Sequence, residues 1–82
     1  MPTVARFRGF RVAIPVNDHR PAHVHVIGSC GTAVFVLDCP SGPPRLREAF
    51  GLTRAELGDI EHELAERLPA LCEDWSAIHG DF

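Results

Sequence analysis

The sequence predicts an α+β domain. It reads as a small antiparallel sheet of three to four strands, covered on one face by a C-terminal helix that is kinked or split near Pro69. Three observations carry this. Apolar residues alternate with period 2 from Phe10 to Val16, and two further β-branched segments, Ala22–Ile27 and Thr32–Leu37, follow. The run Pro40-Ser41-Gly42-Pro43-Pro44 then stops any regular element. From Thr53 onward the apolar period lengthens to that of a helix. At 82 residues there is room for one domain. The sheet is expected over about residues 4–38, a connecting loop over 39–52 and the helical region over about 53–79.

Val4 to Val16 is rich in β-branched and aromatic residues and breaks at Gly9. Beyond the break, Phe10, Val12, Ile14 and Val16 alternate with Arg11, Ala13 and Pro15, the pattern of a half-buried strand. Pro15 has no N–H to give to a ladder, so that end is expected at a sheet edge or a bulge. Before the break, Arg6 and Arg8 are expected to share a face opposite Ala5 and Phe7. They form either a solvated strand face or a contact for phosphate or an acidic partner. Asn17-Asp18 with Pro21 is turn chemistry. Ala22 to Ile27 and the apolar run Thr32 to Leu37 are the next two strands, joined by Gly28-Ser29-Cys30-Gly31. Connections this short favour antiparallel pairing in a meander.

Thr53-Arg54-Ala55-Glu56 is a capping box, in which a hydroxyl and a carboxylate satisfy the first free amides of a helix. Leu57, Ile60, Leu64, Leu68, Leu71, Trp75 and Ile78 follow at helical spacing and make one stripe. Pro69 removes a bond to the carbonyl of Ala65 and clashes with it, which predicts a kink or two successive helices. The stripe keeps its phase across Pro69, so both pieces should lie on the same sheet face. Gly80 ends the helix.

The net charge of −3 is unevenly spread. Residues 1–45 carry five arginines against two aspartates, residues 46–82 three arginines against nine carboxylates, and lysine is absent. Nucleic-acid binders generally present a basic surface. Here only an N-terminal arginine stripe (Arg6, Arg8, Arg11) is on offer, which does not favour nucleic acid as the partner. Cys30, Cys39 and Cys72 are widely and irregularly spaced, and the expectation is reduced thiols in a cytoplasmic protein. The start reads as no signal peptide, and no segment approaches the roughly 20 apolar residues of a membrane span.

Three of the five histidines fall in Asn17-Asp18-His19-Arg20-Pro21-Ala22-His23-Val24-His25-Val26. On a strand, His23 and His25 point to one side, Val24 and Val26 to the other. If the valines face the helix, the imidazoles share the open face. Two histidines at i, i+2 can converge on one metal ion, with His19 or Asp18 as a third ligand. Such a donor set suits Zn, Ni, Fe(II) or Cu(II) rather than Ca. Without metal, the histidine pair and Arg20 can bind phosphate, and His23 or His25 can serve as a general base near neutral pH. The plainer alternative has Asp18 and His19 capping the turn while His23 and His25 pair with carboxylates or backbone. His62 and His79 are expected far away, in the helical tail.

Met1-Pro2-Thr3-Val4, Arg6-Phe7, Gly9-Phe10, the run Asn17-Asp18-His19-x-Pro21-x-His23-x-His25-Val26 and a late Trp75 together resemble the DUF4160 family of small bacterial proteins of unassigned function. The resemblance covers nearly the whole chain. Ala22 stands where a second proline is usual, and Val24 where phenylalanine is usual. Family members are often encoded beside a small DUF2442 protein in an arrangement like a toxin–antitoxin pair. The resemblance therefore implies a DUF2442-like protein partner and a two-protein module, with the histidine strand as the functional surface. Asp18, His19, Arg20, His23, His25, Arg6, Arg8 and Arg11 are the candidate surface residues. Two other functions fit the residues: a metal- or ligand-binding accessory domain using His19, His23 and His25, and a small metal-free ribonuclease. An exposed edge strand in so small a sheet also allows a homodimer.

Overall fold

A computed structural model, describing residues 1–82, shows five strands followed by two helices. The strands are β1 (Thr3–Phe7), β2 (Phe10–Ala13), β3 (His23–Ile27), β4 (Thr32–Val36) and β5 (Arg45–Phe50). The helices are α1 (Arg54–Glu66) and α2 (Leu68–His79). The sheet is an antiparallel meander with its strands in sequence order.

Two features make the sheet larger than expected. The break at Gly9 is a hairpin: Arg8 and Gly9 both have positive φ (50° and 83°), and Phe7 pairs with Phe10 across the turn. Two positive-φ residues suit the right-handed twist of the flanking strands. The second feature is β5, which falls inside the segment expected to be loop. Its residues do not alternate cleanly because the ladder passes from Val34–Glu48 to Phe35–Leu46, leaving Arg47 as an extra, bulged residue. Leu46 and Ala49 therefore both pair with core-facing residues, Phe35 and Ala33. As an edge strand, β5 buries little. Pro15 lies at neither an edge nor a bulge: β2 is an inner strand that ends at Ala13.

The capping box at Thr53 and Glu56 forms in both directions. The helical region is split at Arg67, with Pro69 in the first turn of α2, where its missing N–H costs no helical bond. Ile60, Leu64, Leu68, Leu71 and Trp75 are buried in one cluster with Val12, Ile14, Val24, Val26, Phe35 and Leu37. The stripe thus keeps its face through the break, and only Ile78, at its end, is exposed.

The cysteines differ from expectation. Cys39 and Cys72 are joined in a disulfide with Cα atoms 5.8 Å apart, and only Cys30 is free. The bond ties the β4–β5 connection to α2 across 33 residues of sequence. No helix is long and apolar enough to cross a membrane.

Candidate functional site

The β2–β3 ladder ends at the pair Ala13–His25, so at His23 the chain has already left its neighbour strand. The segment between the strands folds back over the start of β3. There His23 Nδ1–H donates to the Pro21 carbonyl at 2.8 Å, and Nε2 lies 3.1 Å from Asp18 Oδ2. A carbonyl only accepts, so Nδ1 must carry a proton. Neutral imidazole has only one N–H, and the other ring nitrogen is itself an acceptor. The Nε2–carboxylate contact is therefore attractive only when a second proton or another cation lies between the two atoms. The hydrogen bond with His23 holds the Asp18 carboxyl below its usual range; burial opposes this, and the charges of His23, His25 and His19 add to it.

Strand alternation does put His23 and His25 on the side opposite the buried Val24 and Val26, with ring centroids 5.9 Å apart. The expectation that this side is open fails at His23, which is only 4% exposed. Its ring lies 5.1 Å from the Trp75 indole, and the chain end closes around both. Ala22 N–H donates to the Phe82 carbonyl at 3.3 Å, and Trp75 Nε1–H to the Asp81 carbonyl at 2.8 Å. His79, expected to lie far off, stacks on Trp75 at 3.9 Å and donates through Nε2 to the Pro15 carbonyl at 2.8 Å. Its i, i+4 spacing from Trp75 was the one sequence signal for this contact.

Asp18, His23 and His25 bring one ligand atom each within 4.8 Å of one another. His19 is exposed and outside that group. Arg20 reaches Asp81 at 3.3 Å. Of the expected arginine stripe, Arg6 and Arg11 stay side by side across β1 and β2, and Arg8 leaves it. Arg8 sits in the hairpin turn rather than on the strand face, bound to Glu63 at 3.1 Å. Arg11 donates to Thr3 Oγ1 at 3.2 Å and pairs in register with Arg6. Arg11 also stands opposite Ile27, at the far end of β3 from His23, roughly 13 Å along the strand. A residue outside the expected set, Arg47, lines a cavity of about 350 Å³ together with Asp18, Arg20 and His23.

Two imidazoles and a carboxylate form an N₂O donor set of the kind that holds Zn, Ni or Fe(II) with positions left for other ligands. With metal–ligand bonds of about 2.0–2.1 Å, neighbouring ligand atoms stand roughly 3 Å apart. The Asp18–His23 separation of 3.1 Å already matches that edge, and His25 is the member that must swing inward. The Pro21 carbonyl on Nδ1 would fix the ring so that Nε2 is the ligating atom.

Fold and site together define a small α+β domain: a five-stranded antiparallel meander backed by a split helix, with a His–Asp group at one end of the sheet. Residues 9–76 match the family described as domain of unknown function (DUF4160), and the chain belongs to that family. No curated protein and no solved structure matches it.

Proposed function

We propose that the chain binds a divalent transition metal, Zn, Ni or Fe(II), through Asp18, His23 and His25. One observation carries this reading. Both nitrogens of the buried His23 ring face acceptors, the Pro21 carbonyl and the Asp18 carboxylate, and a cation between Nε2 and the carboxylate satisfies both. His25 supplies the third donor from the neighbouring position on the same side of β3. The test is elemental analysis of tag-free protein equilibrated with zinc and then desalted. About one zinc per chain is expected, falling to background in Asp18→Asn and His25→Ala, which spare the buried ring. Zinc retained at the parent's level by both variants, or none bound by the parent, overturns the assignment.

A second reading, interaction with a small DUF2442-like protein in a toxin–antitoxin-like module, is favoured by the end of the His25 sheet face that lies away from His23 and Trp75. Arg11, Ile27, Thr32 and Phe50 form one cross-strand row there, and Phe50 is 67% exposed. With Arg6 opposite Arg11, the row runs from two cations to an exposed aromatic ring, which suits an amphipathic protein surface. Co-expression with such a partner should give a complex that Phe50→Asp disrupts. A monomer that ignores the partner excludes this reading.

A further inference from the structure

We propose that the ligand of this site is a phosphate-type oxyanion, held between the bound metal and the guanidinium of Arg47; this rests on the metal-binding reading above. Arg47 is the extra residue of the β5 bulge. Bulges re-aim side chains out of a ladder, and this one turns Arg47 into the cavity of about 350 Å³ that it shares with Asp18, Arg20 and His23. Most of the other arginines are committed. Arg8 binds Glu63, Arg11 binds Thr3, Arg45 grips Asp38 at 2.6 and 3.0 Å, and Arg67 binds Glu63. Arg47 makes no hydrogen bond or ion pair, and it is the one such arginine that lines this cavity.

The charge balance sets the ligand's sign. Asp18 contributes one negative charge to the cavity, Arg20 and Arg47 two positive charges, and a divalent metal two more. Arg20 is shared with Asp81 at the exposed rim, which leaves Arg47 as the unopposed cation. A tetrahedral dianion can offer one oxygen to the metal and two to a guanidinium fork, the bidentate arrangement that arginine makes with phosphate. A planar monoanion such as acetate cannot bridge both in that way.

The experiment is calorimetric titration of inorganic phosphate into zinc-loaded, desalted protein, with zinc affinity measured separately for each variant. Phosphate should bind the parent. Arg47→Gln should weaken it about tenfold or more without altering zinc affinity, and Arg47→Lys should recover part of the loss. Phosphate binding unchanged in Arg47→Gln, no phosphate binding to the zinc-loaded parent, or acetate binding as tightly as phosphate each overturns the proposal. Failure of zinc to bind at all overturns the metal reading, and this one with it. Zinc bound with no response to phosphate overturns this one alone.

Discussion

His79 lies stacked on the Trp75 indole, ring centroids 3.9 Å apart and planes 25° from parallel, one helical turn along α2. Its Nε2–H reaches the Pro15 carbonyl, so the last turn of the helix anchors the segment that carries Asp18. His79→Ala should lower stability by about 1–2 kcal/mol through the lost stack and hydrogen bond. It should also weaken zinc retention, because the Asp18 turn loses its anchor. Urea unfolding and metal content measure the two effects. No change in either would mean that the contact contributes nothing.

His23 and His25 should separate sharply in stability. His23 is buried against Trp75 and uses both ring nitrogens, whereas His25 is half-buried with no hydrogen bond to its ring. His23→Ala is expected to cost about 2–4 kcal/mol and His25→Ala under about 1 kcal/mol. Val24→Asp or Val26→Asp, each placing an unpaired charge in the fully buried core, should unfold the domain. Thermal melts rank all four, and equal losses at the two histidines would contradict the burial of His23.

Reduction should destabilise the fold. The Cys39–Cys72 bond closes a loop spanning 33 residues of sequence, for which chain entropy gives about 3.5–4 kcal/mol. Cys39→Ser should shift the urea midpoint downward, and reductant should do the same to the parent but nothing further to the variant. A parent insensitive to reductant would show that the bond adds no stability.

Acid should weaken a second region. Glu63 is hydrogen-bonded first by Arg67 and then by Arg8, which together hold its carboxyl below its ordinary value. A carboxyl lowered on folding stabilises the native state above the unfolded value, near 4.5, and that contribution is lost as pH falls through the folded value. Melting temperature should therefore drop as pH is lowered below about 4.5, and Glu63→Gln should flatten part of that decline. Parallel pH profiles for the parent and Glu63→Gln would remove the ion triad from the account. Asp38, lowered by its hydrogen bond from Arg45, follows the same sign.

What the sequence determined by itself is what depends on near neighbours. The capping box at Thr53 and Glu56, the helical stripe from Leu57 to Trp75, the break near Pro69 and the alternation through β2 and β3 rest on bonds and periods spanning a few residues. The turn residues Asn17, Asp18 and Pro21 likewise fall between β2 and β3. Tertiary structure decided the rest. Strand β5 exists because β4 offers it a ladder, and the bulge at Arg47 hides its pattern from a period-2 reading. The Cys39–Cys72 bond joins positions that only the packing of α2 brings together. His23 is buried, and His79 is placed near it, by a chain end that returns from residues 75–82. Local periodicity carries the faces of each element, but burial at a strand end depends on what folds over it, and no short window of sequence contains that.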